Sequence, residues 1–331
     1  MDAPRLPQHG TITSFSYGDG IGRIRLEDGT ELKVGASGLK EVVSFSEEER
    51  PLVGVRVEVH VVAPHPLGGF RATKVTRVGK EISFKRVSSP EQWEKNLRAA
   101  GLSAEHATKL RAAVRPAARL STKKGSCPVG GSKLGGLPDA PADFAWPTIE
   151  GRPLVFVAQL RLADVPASVT RDLDLPPEGL LAFFFGAEAG RQSEPLPRAR
   201  LALFDAAKAL APMKAVDAHV FDPKAITAKE LWTPPPLETA SEILGKDENA
   251  KRIYEAALMD FERATDRTPA HRVGGHPQPV QSPMEQRNER LLLQVDSDDA
   301  CEMCWEDAGR LYFLFRKSAG FESARCEVQS G

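Results

Sequence analysis

The sequence predicts an α+β protein in which a small five-stranded β-barrel is followed by an internally duplicated α+β domain rich in antiparallel sheet. Three observations carry this expectation. Short alternating strands punctuated by Gly and Asp run from His9 to about Val78, a helical stretch runs from Ser88 to about Leu120, and a set of glycine- and aromatic-rich motifs then occurs twice in the same order. The expected domains are residues 1–80 for the barrel, 81–125 for a helical connection belonging to the next domain, and 126–331 for the duplicated domain. Its repeats fall at about 126–186 and 245–331.

The barrel is read from "GTITSFS", "GIGRIRLEDGTELKV", "GVRVEVHVV" and "GGFRATKVTRV", with Asp28 and Gly29 as a hairpin signal. The opening "GTITSFSYGDGIGRI" resembles the first two strands of a cold-shock domain, an OB-type barrel: Gly10, Thr11, Ile12, Phe15, Gly20, Gly22 and Ile24 match. The resemblance implies a single-stranded nucleic-acid surface, but the aromatic platforms of that family are replaced here. Ser14 stands for its tryptophan, Ile21 and Arg23 for two phenylalanines, and Lys33, Gly35 and Ala36 for the second aromatic motif. Stacking contributes roughly 1–3 kcal/mol per base, so the family's binding mode should largely be lost. Residues 1–80 carry 11 Lys plus Arg against 10 Asp plus Glu, which makes no electrostatic funnel. Arg23, Arg25 and Lys33 remain as a modest nucleic-acid patch.

In "SSPEQWEKNLRAAG", Ser88 or Ser89 is the helix cap, Pro90 the first helical residue and Gly101 the stop, with a second helix from Ser103. Trp93 and Leu97 share a face and are expected to pack.

The duplication is read from three pairs. "GGLPDAP" at 135–141 answers to "GGHPQPV" at 274–280, "FVAQLRL" at 156–162 to "LLLQVDS" at 291–297, and "GLLAFFF" at 179–185 to "GRLYFLF" at 309–315. A helix is expected before each copy, the second being "DENAKRIYEAALMDFERA" with Tyr254, Leu258 and Phe261 on one face. Gly179 and Gly309 are expected to share a tight turn at positive φ. Together with "SKLGGLPDAPADFAWP", "LPPEGLLAFFF" and "WEDAGRLYF", these motifs resemble the YwqG-like family of bacterial proteins over about 88–331. The resemblance implies fold and membership in a family of unknown function, with no established reaction.

Net charge is −1 and the pI about 6.7, so the molecule as a whole has no field that draws in nucleic acid or an acidic membrane. The start of the chain lacks an apolar signal region and no long apolar run occurs later, so a cytoplasmic, non-membrane location is expected. Cys301 and Cys304 form a CxxC pair, but it precedes a strand instead of opening a helix, and Cys127 and Cys326 stand apart, so two loop side chains are expected in place of a metal or redox site. Six acids between Asp296 and Asp307 read as a solvated loop, with a Ca²⁺ or Mg²⁺ site as the other reading. Lys133, Trp146, Gln159, His276, Gln294, Trp305, Asp307 and Arg310 are candidates for a groove between the repeats. Alternatively, Gln159 and Gln294 satisfy backbone groups across the pseudo-axis. No catalytic residue, metal or cofactor is assigned. The leading expectation is a non-catalytic binding protein with a protein partner; the alternative is a nucleic-acid-associated factor anchored by the barrel.

Overall fold

The computed structural model describes residues 4–331 except 17–18, 41, 43–51, 53, 67, 79–83, 85–86, 187–198, 215, 266–267, 283 and 285–287. Five strands, β1 (Gln8–Ser16), β2 (Ile21–Leu26), β3 (Glu31–Gly35), β4 (Arg56–Pro64) and β5 (Phe70–Arg77), close a barrel in the order β1-β2-β3-β5-β4. β2 alternates exposed and buried along its whole length. Ile24 and Leu26 therefore join Ile12, Leu32, Val34, Val57, Val59 and Val75 inside, as a period of two requires. Asp28 and Gly29 turn β2 into β3, with Gly29 at φ +86° and its N–H donated to the Leu26 carbonyl at 3.0 Å.

Helix α1 (Pro90–Ala99) is capped by Ser89, whose side chain accepts the Gln92 N–H, and α2 (Ala104–Ala112) is capped by Ser103 in the same way. The chain continues through β6 (Arg115–Lys123), β7 (Lys133–Leu134), β8 (Asp139–Ala140) and a short hairpin of β9 (Thr148–Ile149) and β10 (Arg152–Pro153). Next come β11 (Val155–Arg161), helix α3 (Ala167–Asp172), β12 (Leu180–Phe185), β13 (Ala199–Phe204), β14 (Ala211–Pro212), which pairs with β8, and β15 (Lys224–Thr233). Helices α4 (Leu237–Leu244) and α5 (Glu248–Thr265) precede the last four strands, β16 (Arg272–Gly274), β17 (Glu289–Asp296), β18 (Arg310–Arg316) and β19 (Gly320–Gln329).

Two compact units result: Met1–Val114 with Pro234–Asp266, and Arg115–Thr233 with Arg267–Gly331. Helices α1 and α2, expected to go with the later domain, and α5, expected to head the second repeat, thus share a unit with the barrel. Packing explains the difference. Trp93 is fully buried, with Tyr254 and Phe261 of α5 edge-on to it at 6.0 and 6.2 Å, and Ile253 lies against Gly54. An apolar stripe specifies that a helix must bury one face, not which neighbour covers it.

The second unit is built on a ten-stranded sheet in the order β13-β12-β11-β7-β15-β6-β16-β17-β18-β19, every ladder antiparallel. Outward from the centre, β7, β11, β12 and β13 are matched by β16, β17, β18 and β19. Register matches too: Gln159 faces Ala182 and Lys133, Gln294 faces Tyr312 and Arg272, and irregularities fall at Phe156/Ala158 and Leu291/Leu293. The two central strands are exchanged. β6 precedes β7 in the chain but pairs with β16, β15 precedes β16 but pairs with β7, and the two pair with each other. The edge strands β13 and β19 come back into contact, so the sheet curls around one core in which Phe183 and Phe313 meet edge to face at 5.2 Å.

Glycines mark the places where this arrangement is tightest. Gly136 and Gly275 both sit at φ +73°, and a side chain there would strike Pro223 and Ala117, the residues that lead into β15 or lie on β6. Gly179 has the expected positive φ, +121°, whereas Gly309 does not. Gly309 is needed for a different reason: a Cβ there would lie 2.2 Å from the Gln329 carbonyl oxygen.

Candidate functional site

The polar residues singled out in the sheet unit are largely internal. Gln159, fully buried on β11, accepts the Asp139 N–H at 2.9 Å and donates to the Gly131 carbonyl at 2.8 Å. Gln294, fully buried on β17, accepts the Gln278 N–H at 3.0 Å and donates to the Ala270 carbonyl at 2.8 Å. Each glutamine therefore ties down the loop that flanks the glycine pair of its own half of the sheet, so the backbone groups it satisfies lie within that half and not across the centre. Buried donors and acceptors need such partners, and a primary amide supplies one of each from a single strand position.

Around this shared core the two halves differ in charge. In the first, Lys133 and Asp139 form a buried ion pair at 3.1 Å, and Asp139 also takes the Gly130 N–H at 2.9 Å and the Gln159 amide at 2.6 Å. In the second, Arg272 donates to the Gln278 side chain at 2.9 Å and to the His276 carbonyl at 3.1 Å. Arg310 donates to Asp296 at 3.1 Å and to the Gln278 carbonyl at 3.1 Å, which the Tyr312 hydroxyl also reaches at 2.7 Å. His276 and Trp305 are buried, Trp146 is half-buried with its indole N–H on the Leu154 carbonyl at 2.8 Å, and Asp307 is exposed. Among the groove candidates, only Asp307 is plainly at the surface.

The cysteine pair separates. Cys301 is buried and Cys304 exposed, the latter with its thiol on the Glu306 carbonyl at 3.2 Å. Backbone bonds between Asp298 and Met303, in both directions, and from Gly309 N–H to the Trp305 carbonyl make this stretch a turn that caps β17 and β18. Trp305 anchors the turn, its ring 5.7 Å from Phe185 and 5.5 Å from Phe221. Two of the six acids are internal: Asp296 pairs with Arg310, and Asp298 lies 3.1 Å from His271 Nε2. Among the described residues, no group of three or more His, Cys, Asp or Glu side chains is placed to hold a metal ion.

His271 is not among the candidates that the sequence offered for a groove. Its Nδ1 accepts the Asp296 N–H at 3.0 Å, which leaves the proton on Nε2 to be donated to Asp298. That bond holds the Asp298 carboxyl below the usual carboxylate range. Cys301 Sγ lies 3.8 Å from the same carboxylate, and burial together with that charge pushes the thiol up to about 12. The group that faces the thiol is the aspartate, a carboxylate too weakly basic to ionise it, and not the imidazole, and a neutral buried thiol is a poor nucleophile. A lone histidine between separated motifs offers no sequence signal for this cluster.

On the barrel, Arg23 and Arg25 both reach Glu31, at 3.3 and 3.0 Å, and Lys33 Nζ lies 3.5 Å from His65 Nδ1. Arg25 chiefly, through its hydrogen bond, holds the Glu31 carboxyl below its ordinary value. Arg23, Arg25 and Glu31 also line an open cleft of about 550 Å³ with Thr13, Ser14 and, from α5, Glu248, Asn249 and Arg252. No position in residues 1–80 announces the α5 side of this cleft.

The second unit is thus a curled antiparallel sheet whose buried polar residues serve its own loops. The chain belongs to a domain family of unknown function, DUF1963, whose family model matches residues 132–324, from just before β7 into β19. No curated protein matches the chain. No helix among the described residues is long and apolar enough to cross a membrane.

Proposed function

We propose that this chain is a non-catalytic binding protein, in which the sheet unit is a rigid support and binding occurs on exposed surface. The observation that carries the reading is the internal use of the sheet's reactive and polar groups. Lys133, Gln159, Gln294 and Arg310 each hold a neighbouring segment, and Cys301 is held neutral beside Asp298. A protein partner is the leading reading. The nucleic-acid alternative draws on the cold-shock-like strands, and the engagement of Arg23 and Arg25 by Glu31 weighs against a broad polymer-binding face. The matched order, register and glutamine bonds of the two halves support an origin of the sheet by internal duplication, and they support the YwqG-like reading of its motifs.

Native mass spectrometry of the full chain purified from its own cells tests the function. A co-purifying partner or small molecule that returns unchanged in mass after incubation with fresh protein supports binding without catalysis. Consumption of that molecule overturns it.

A further inference from the structure

The described residues that line the cleft on the first unit are all polar, and their charges do not cancel. One carboxylate, Glu31, is shared by two guanidinium groups, those of Arg23 and Arg25. The other, Glu248, turns to Lys251 at 2.9 Å, outside the lining set. The side chain of Arg252, one helical turn on from Glu248, has no hydrogen bond or ion pair to any described residue, and the side chains of Ser14 and Asn249 have no hydrogen-bond partner among those residues. Among the described residues, two positive charges are thus uncompensated beside a hydroxyl and an amide that have no side-chain partner. Among the described residues, no aromatic or aliphatic side chain lines the space to support a base or an apolar group.

We propose that this cleft binds a phosphoryl-bearing ligand, held by Arg252 and by the Arg23–Arg25 pair. Guanidinium groups present forked donors that match phosphate oxygens, and about 550 Å³ accommodates a small ligand. Glu31 shows the arginine pair already gripping an oxyanion; it is the internal competitor of the ligand's phosphate. The site recognises the phosphoryl group and not the remainder of the ligand. The proposal rests on the binding-protein reading but not on the identity of a protein partner.

The test is calorimetric titration of the full chain with pyrophosphate at low salt, and in a parallel arm fluorescence anisotropy with a short single-stranded oligonucleotide. Saturable one-site pyrophosphate binding is expected, weakened about tenfold by Arg252→Ala and tightened about fivefold by Glu31→Gln. Both positions are exposed, and circular dichroism checks that each variant is folded. Oligonucleotide binding with the same dependence on Arg252, and none to pyrophosphate, would assign the phosphoryl group to a nucleic-acid backbone and still support the site. No binding in either arm, or binding indifferent to Arg252→Ala, overturns the proposal. A partner recovered by native mass spectrometry in that case would leave the binding-protein reading standing.

Discussion

The two halves of the ten-stranded sheet hold the same glutamine in the same register, yet they surround it with different charges. Beside Gln159 stands a Lys133–Asp139 ion pair. Beside Gln294 the corresponding contact joins Arg272 to the neutral Gln278, and the ion pair has moved one strand outward to Asp296 and Arg310. Those two face each other across β17 and β18 where Arg161 and Leu180 do in the first half. The loop-anchoring glutamine is therefore the part of the frame that geometry demands, and the charged neighbours are adjustable. A buried charge is tolerated wherever one partner and a few hydrogen bonds complete it.

The likeness of the halves is tested most directly at the glutamines. Gln159→Leu should cost about 4 kcal/mol and Gln294→Leu about 3 kcal/mol in urea unfolding, since each strands a backbone N–H and a carbonyl, the N–H being fully buried for the first and partly buried for the second, and the first also takes a donor from Asp139. Equal, small losses of under about 1 kcal/mol would show that the loops do not need them. Next in size, Gly275→Ala should cost about 3 kcal/mol and Gly136→Ala somewhat less. Both sit at φ +73°, but the nearest atom to an added Cβ is at 2.6 Å for Gly275 and 2.9 Å for Gly136. Equal unfolding midpoints for the two would remove that distinction.

A smaller effect separates the halves by pH. The Asp298 carboxyl is held below its ordinary value of 3.8 by His271, so its contribution is fully present above that value and is lost as pH falls through the lower, folded one. Acid unfolding of the wild type should therefore steepen below about pH 4, and His271→Gln should flatten that limb by about 1 kcal/mol. An unchanged acid limb in the variant would detach Asp298 from it. Smallest of all, Cys304→Ser should shift stability by less than about 0.5 kcal/mol, while native-state thiol titration should find Cys304 reactive and Cys301 silent. Rapid modification of Cys301 in the folded protein would contradict its burial.

Much of the frame was legible in the chain. The glycine pairs at 135 and 274, the glutamine strands and the glycine-led aromatic strands were each placed by recurrence, and the turn at Asp28 and Gly29 by its composition. The candidate groove was not legible as it stands, because residue type and spacing say that Lys133, Gln294 or Arg310 is polar but not whether its partner is water or a buried loop. The bonding of His271 was not legible because its two partners come from the far end of β17 and the turn after it. Gly309 was placed correctly and explained wrongly, since the strand that crowds it, β19, lies outside the repeated motifs.

The amino-acid order thus specified which residues alternate into a barrel, which motifs pair off, and which faces are apolar, because these follow from local periodicity and the side chains' own chemistry. Three things came from tertiary packing instead: β6 and β15 exchange partners, the helices of 90–112 and 248–265 pack with the barrel's unit, and Arg252 shares a cleft with Arg23 and Arg25. The physical reason is the same in each case. Backbone ladders and apolar stripes are satisfied by any partner of the right pattern, so the choice among partners is made by the packing of distant segments.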